Sequence, residues 1–249
     1  MNKFARIGAD VVNAALRPMG LRLVATAQDR YLGLDPKIRS IYEAVKDITQ
    51  SGRDRVYTLC EAIQYVAKAH IVGDFVECGV FRGGSSMAAA LMMSHIGDCR
   101  TMHLYDTFTG MPPPSDKDFD YTGRSAFAEQ ERHARDGTGW TRAGEDEVIA
   151  NMKSTGYDMS RVILHKGLVQ ATIPKEAPEQ IAFLRLDTDW YESTKHELSH
   201  LWPRLSPGGV LLIDDYGHYT GAREAVDEFF ADEHRFLFRI DYTGRIVFK

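Results

Sequence analysis

Acidic residues gather at the ends of two apolar, strand-like runs in the second half of the chain. The first run leads into Asp187 and Asp189, and the second leads into Asp214 and Asp215. Unpaired carboxylates crowded at the mouths of buried strands are costly unless a cation offsets their charge. Oxygen donors suit a hard divalent cation such as Mg²⁺ or Mn²⁺, which keeps open positions for a substrate. The pattern therefore predicts one metal site built from two strand ends. The alternative is a purely structural role, in which each aspartate caps a strand end or forms a turn.

A glycine-rich turn follows an earlier strand-like segment. Glu77 and Gly79 end that segment, Gly83 lies in the turn, and Ser85 and Ser86 open an apolar, helix-like stretch. A strand, a glycine turn and a helix in this order present backbone N–H groups to a ligand at the switch point of a doubly wound sheet. The turn therefore predicts the binding site of an organic cofactor.

Two further features indicate which class of cofactor the turn could bind. Phe81 stands where a dinucleotide-binding turn has its middle glycine, and no Gly-Lys-Ser/Thr of a P-loop occurs. Asp106 ends the next strand-like segment, where a carboxylate can accept both hydroxyls of a ribose. These features favour a nucleoside cofactor without naming it.

The elements that must position these residues alternate along the chain. Strands are predicted at residues 71–78, 101–105, 162–164, 182–186 and 210–213. Helical spacing is found within residues 36–70 and over 85–93, 193–205 and 221–230. Alternating strands and helices indicate an α/β fold with a doubly wound, mostly parallel sheet covered on both faces. Residues 236–240 and 245–248 predict a closing antiparallel hairpin.

Two stretches of the chain do not follow this alternation of strands and helices. Residues 110–157 form a long polar connection, which we interpret as a lid over the active site or as a solvated surface insertion. Residues 1–35 form a basic, amphipathic arm, and docking on protein is favoured over a membrane surface because Pro18 and Gly20 interrupt it. The predicted domains are this arm and residues 36–249.

Composition excludes several classes of protein. The 249 residues carry a formal charge of -5, which argues against a nucleic-acid-binding protein. Three cysteines without a CxxC pair favour a reducing cytoplasm over secretion. No apolar run approaches the length of a membrane span.

A short motif on the helix predicted over 193–205 could be mistaken for a zinc site. His196, Glu197 and His200 match the HExxH pattern of zinc proteases. Leu198 and Leu201 form the buried stripe of that helix, so we expect the two histidines to face solvent. Ser193 is expected to cap the helix N-terminus. The zinc interpretation is therefore rejected.

Four motifs together resemble the macrocin O-methyltransferase family, in order over roughly residues 35 to 249. They are residues 76–80, residues 104–112, residues 186–194 and the segment 208–217 with its Gly-Gly and Asp-Asp pairs. The resemblance implies the seven-stranded fold of S-adenosylmethionine (SAM)-dependent methyltransferases and a homo-oligomer. It also implies methylation of a sugar hydroxyl on a natural product, with SAM and a divalent metal such as magnesium.

The resemblance assigns roles to the candidate residues. The cofactor-binding set is Glu77, Gly79, Gly83, Ser85, Ser86 and Asp106, with the glycines at the methionine half, the serines near its carboxylate and Asp106 at the ribose. The metal set is Asp187, Asp214 and Asp215, and Asp189 is the general base, a role that a neighbouring histidine could also fill. His218 and Tyr219 face either the substrate or solvent.

Two other functions stay open at this point. A metal-dependent glycosyltransferase would use Asp187, Thr188 and Asp189 as a DxD motif, although we expect no basic residues beside it that could neutralise phosphates. A third possibility is a protein whose acids bind only a structural cation.

Overall fold

The computed structural model describes residues 12, 16–19, 35–136 and 142–249. By its internal contacts the chain divides into a unit of residues 1–35 and a unit of residues 36–249. The described part of the first unit includes a single 3₁₀ turn at Arg17–Met19, and the rest of the predicted arm lies outside the described residues.

The second unit alternates helices with strands. Its helices are α1 (Pro36–Val45), α2 (Arg53–Lys68), α3 (Gly84–Ile96), α4 (Ala126–Asp136), α5 (Glu145–Ser154), α6 (Val169–Thr172), α7 (Tyr191–Leu201) and α8 (Thr220–Phe229). Its strands are β1 (Asp74–Cys78), β2 (Met102–Asp106), β3 (Val162–Lys166), β4 (Ile181–Leu186), β5 (Leu205–Ile213), β6 (Phe238–Arg239) and β7 (Arg245–Phe248). Within the described ranges, none of the helices combines the length and apolarity that a bilayer span requires.

The seven strands form one sheet in the order β3-β2-β1-β4-β5-β7-β6. The five strands from β3 to β5 are parallel, and β7 runs antiparallel to both β5 and β6. Strand order reverses beside β1, so the carboxyl ends of β1 and β4 open a crevice. The predicted doubly wound sheet with its C-terminal hairpin is confirmed.

Side chains alternate between the two faces of this sheet, as the two-residue repeat of a strand requires. Phe75 and Phe183 pack with α1, α2 and α3 on one face, whereas Val76 and Leu184 pack with α7 on the other. Arg185 and Glu77 are paired in register on the same face as the two phenylalanines. Both charged side chains are therefore held inside the protein.

The predicted helix over 193–205 was wrong at both ends. Helix α7 begins at Tyr191, and its N-cap residue is Trp190 rather than Ser193. The Ser193 hydroxyl instead donates to the Trp190 carbonyl at 3.1 Å, inside the first turn. At the other end the helix stops at Leu201, because a 3₁₀ turn carrying Pro203 follows and leads directly into β5.

Candidate functional site

The two acidic clusters meet at the carboxyl edge of the sheet. Asp187 follows β4 and Asp214 follows β5, and each continues the backbone ladder of its strand by one hydrogen bond of 2.9 Å. Asp187, Asp214 and Asp215 each offer a carboxylate oxygen, and these oxygens lie within 4.8 Å of one another. The structure thus brings together the three residues that we expect to bind metal.

A buried arginine lies directly beneath these acids. The Arg185 guanidinium contacts Glu77 at 2.6 Å, and Asp187 and Asp214 at 2.7 Å each. It also donates to the Ser51 hydroxyl at 2.8 Å. Sequence reasoning missed this residue, although a charged side chain inside an apolar strand was a signal that it needs buried partners.

A second arginine reaches the site from helix α2. Arg55 forms an ion pair with the second carboxylate oxygen of Asp214, and it holds Asp241 at 3.1 Å. Both oxygens of Asp214 are therefore already in contact with arginine. Asp187 and Asp215 provide the carboxylate oxygens that remain open towards the cavity.

Negative charge exceeds positive charge at this edge even with both arginines counted. Burial, and then the neighbouring Asp187, raise the pKa of Asp215 to about 7. Burial, followed by the charges of Asp215 and Asp187, raises the pKa of Asp189 well above its ordinary value. Carboxyls in such surroundings take up protons or bind a cation.

Asp189 is held in an uncommon backbone conformation next to the acids. Its φ is 65°, in the left-handed region that few non-glycine residues adopt. Its N–H donates to the Asp215 carboxylate at 3.2 Å, and its side chain borders the cavity. The structure thus places the predicted general base beside the predicted metal ligands.

The glycine turn approaches the acids closely because it lacks a side chain at one point. Gly79 has φ 84°, and a Cβ there would lie 1.8 Å from the Asp187 carbonyl oxygen. Phe81 also adopts the left-handed region, with φ 51°. The turn can therefore take its glycine-like path without a glycine at the middle position.

Asp106 organises this turn as well as facing the cavity. One of its carboxylate oxygens accepts the N–H groups of Val80 and Phe81 at 2.8 and 3.0 Å, and the other accepts that of Phe108 at 2.8 Å. Any ribose contact by Asp106 must use the remaining acceptor capacity of these two oxygens.

A group of hydroxyls marks the start of helix α3. The Ser85 hydroxyl lies 3.3 Å from that of Thr49 and 3.4 Å from that of Ser51. Thr49 and Ser51 come from the loop before α2 and were missed from sequence, because nothing in their local pattern indicates the distant contact. Together with the helix N-terminus, these hydroxyls suit an anionic group.

One cavity connects the glycine turn to the acidic edge. Its lining includes Gly79, Ser85 and Asp106 at one end and Asp187, Asp189, Asp214 and Asp215 at the other. Glu77, Gly83 and Ser86, which we expected at the cofactor, are not among the lining residues. Glu77 instead lies buried between Ser86 and Arg185, and Gly83, with φ 84°, is the N-cap of α3.

The insertion borders the cavity through its first residues. Gly110, Met111 and Pro112 line it, and the Trp190 indole donates to the Pro112 carbonyl at 3.0 Å. Further along, the fully buried Asp118 accepts the Tyr191 N–H at 2.9 Å, so the insertion caps helix α7. The insertion is thus tied to the N-terminus of helix α7 at two points.

Comparison with known proteins identifies the chain. Residues 25–249 match the family described as Macrocin-O-methyltransferase (TylF). The chain belongs to the macrocin O-methyltransferase family. It is accordingly a SAM-dependent O-methyltransferase, and the predicted resemblance is confirmed.

Three curated relatives of this family member are named as O-methyltransferases. The chain is 33% identical over 73% of its length to 8-demethyl-8-(2,3-dimethoxy-alpha-L-rhamnosyl)-tetracenomycin-C 4'-O-methyltransferase of Streptomyces olivaceus, covering 67% of that protein. It is 31% identical over 79% of its length to demethyldecarbamoylnovobiocin O-methyltransferase of Streptomyces niveus, covering 73% of it. It is 32% identical over 75% of its length to mycinamicin III 3''-O-methyltransferase of Micromonospora griseorubida, covering 71% of it.

Solved structures share the fold. The O-methyltransferase NovP superposes with a TM-score of 0.71 at 28% identity, over 81% of each chain. The calicheamicin methyltransferase CalS11 superposes with a TM-score of 0.59 at 15% identity, over 90% of this chain and 94% of its own.

The family assignment also decides against the glycosyltransferase and zinc-protease interpretations of the DxD and HExxH segments. The DxD segment belongs to a methyltransferase. The expected absence of a basic residue beside it was wrong, because Arg185 contacts Asp187, but this arginine is occupied by carboxylates of the protein itself. In the HExxH segment, His196 and His200 are half-buried rather than fully turned to solvent, and the His196 imidazole bonds the Ile173 carbonyl at 2.9 Å. Glu197 is fully buried and accepts the Thr188 hydroxyl at 2.9 Å, so it holds the loop of the acidic cluster.

Proposed function

We propose that this enzyme transfers the methyl group of SAM to a hydroxyl of a sugar on a natural product, with the help of a divalent cation at Asp187, Asp214 and Asp215. The observation that carries the proposal is the single cavity joining the glycine turn to the acidic edge. The names of two relatives, which specify a rhamnosyl group and a mycinamicin, support a sugar-bearing acceptor.

The residues at the acidic edge fit a hard cation. Asp187, Asp214 and Asp215 offer carboxylate oxygens within 4.8 Å of one another, the ligand type that Mg²⁺ or Mn²⁺ prefers, and those of Asp214 would be shared with Arg185 and Arg55. The surplus of negative charge over Arg185 and Arg55 supplies the electrostatic reason for a cation there. When bound, such an ion lowers the pKa of a hydroxyl that contacts it.

The chain's own residues divide the remaining work. Asp189 accepts the proton of the attacking hydroxyl, and burial together with the charges of Asp215 and Asp187 raises its pKa, which makes its carboxylate a stronger base. Ser85 and the hydroxyls beside it hold the carboxylate of SAM, and Asp106 holds its ribose. Gly79 lets the turn approach closely enough to hold the donor in register with the acceptor.

Binding of the product S-adenosylhomocysteine (SAH), measured by isothermal titration, tests the cofactor. Micromolar affinity is expected, with none for UDP or GDP. Formation of a methylated product from a panel of rhamnosides, followed by mass spectrometry, tests the acceptor class. A protein that binds SAH but methylates only non-sugar hydroxyls would contradict the proposed acceptor. The homo-oligomer remains a prediction, which light scattering after gel filtration checks.

A further inference from the structure

Three aromatic side chains from three separate loops meet at the acidic end of the cavity. Tyr121 belongs to the insertion, His218 to the loop after β5, and Tyr242 to the β6–β7 turn. The ring centroid of Tyr121 lies 5.3 Å from that of His218 and 5.9 Å from that of Tyr242. His218 and Tyr242 are 5.9 Å apart, and the imidazole Nδ1 lies 3.0 Å from the phenol oxygen. We refer to these three side chains as the aromatic trio.

Two members of the trio, His218 and Tyr242, are held close to the acids by hydrogen bonds to backbone carbonyls of the acidic cluster. The His218 N–H donates to the Asp215 carbonyl at 2.9 Å. In the turn that carries Tyr242, the Thr243 hydroxyl donates to the Asp214 carbonyl at 2.7 Å. Both His218 and Tyr242 line the same cavity as the acids. His218, Tyr242 and the carboxylates therefore border one continuous cavity, and Tyr121 joins them through its ring contacts with His218 and Tyr242.

The aromatic rings are nevertheless left open to solvent. Tyr121 is 64% exposed and Tyr242 is 52% exposed. Packing inside the protein therefore does not account for their convergence. Exposed aromatic area at the mouth of a cavity that also holds polar groups is typical of a ligand-binding surface.

We infer that the aromatic trio binds the sugar ring that carries the reacting hydroxyl. This inference rests on the proposed function. A pyranose has an apolar C–H face and a polar rim, and tyrosine offers an apolar ring with a hydroxyl at its tip. With the reacting hydroxyl at Asp189, the ring to which it is attached must lie against the groups bordering the acids. His218 and Tyr242 border them and Tyr121 packs on both rings, so Tyr121 and Tyr242 are positioning residues for the acceptor and take no part in cofactor binding.

Binding of p-nitrophenyl α-L-rhamnopyranoside, in the presence of saturating SAH and MgCl₂, tests the trio. Titrations followed by saturation-transfer NMR compare the wild-type enzyme with Tyr121→Leu and Tyr242→Leu. Each variant is expected to lower the affinity for the glycoside about fivefold or more, because a stacking ring is lost. Tyr242→Phe keeps the ring and is expected to lose less. Affinity for SAH should stay at the wild-type value in all of them.

Tyr65→Leu is the matched control. Tyr65 is 40% exposed and its ring packs on Phe248 rather than on His218 or Tyr242, so its substitution should leave glycoside affinity unchanged. The inference is overturned if both trio variants bind the glycoside as tightly as the wild type, or if the wild type binds SAH but no glycoside. Failure of the wild type to bind SAH would instead overturn the proposed function.

Discussion

Arg185 on β4 and Asp214, directly after β5, form a buried ion pair at the floor of the cavity, with the guanidinium Nη2 2.7 Å from a carboxylate oxygen. The same guanidinium also contacts Glu77 and Asp187. One buried cation thus holds three carboxylates from three adjacent strand ends. It fixes their positions and offsets part of their charge, while Asp187 and Asp215 keep oxygens facing the cavity.

Removing this arginine is expected to be strongly destabilising. In Arg185→Met, three carboxylates lose a buried partner, and the free energy of unfolding should fall by roughly 3–5 kcal/mol. Urea unfolding measures the loss. Arg82→Met is the control, because Arg82 and Glu147 form an exposed pair whose loss should cost about 1 kcal/mol or less. Equal losses in the two variants would show that Arg185 has no such role.

Gly79 and Gly97 offer a comparison between two left-handed glycines. Both have φ above 70°, so alanine strains the backbone at either position. Only at Gly79 does the added Cβ meet the backbone of Asp187, since nothing lies within 4 Å at Gly97. Gly79→Ala should therefore unfold at lower urea than Gly97→Ala and should lose SAH affinity, measured by titration. Similar behaviour of the two variants would refute the close approach.

The proposed base is tested by Asp189→Asn. The amide cannot accept the hydroxyl proton, so kcat should fall roughly a hundredfold or more, whereas SAH affinity should be kept. Asp158→Asn serves as the control because Asp158 is an exposed 3₁₀ N-cap outside the cavity lining. Turnover of Asp189→Asn within a few-fold of the wild type would assign proton removal to another group.

Stability at mildly acidic pH should depend on His165. Burial lowers its pKa below the ordinary 6.5, against the raising effect of Glu176, and the ring stacks on Tyr105 at 4.1 Å and faces His103. The folded protein thus binds this proton less readily than the unfolded chain. Stability from this group is complete above pH 6.5 and is lost as pH falls below it. Urea unfolding between pH 5 and 7 should show a shallower pH slope for His165→Phe. Identical slopes would contradict this assignment.

The parts of the site that sequence could predict are those encoded locally. Asp187 and Asp214 each follow an apolar run, and parallel strands bring their carboxyl ends to one edge, so the acidic cluster followed from pattern and topology. The C-terminal hairpin followed in the same way, from two short strand-like runs about a turn.

The remaining parts depend on contacts between distant segments. Arg55 reaches Asp214 from helix α2, and Asp118 caps helix α7 from within the insertion. No periodicity in either segment encodes the partner. At Ser193 the local pattern predicted a role that the structure does not show. This residue is suited to N-capping but lies inside the helix, and Asp118 of the insertion supplies the capping carboxylate.

The dependence of methyl transfer on a divalent cation tests the central claim most directly. The enzyme is stripped with EDTA, and its turnover of SAM and a sugar acceptor is measured before and after MgCl₂ or MnCl₂ is added, alongside Asp187→Asn and Asp215→Asn. We expect turnover to fall roughly a hundredfold or more on chelation and to return with the cation in the wild type only. Full activity in the chelated wild-type enzyme would contradict the account.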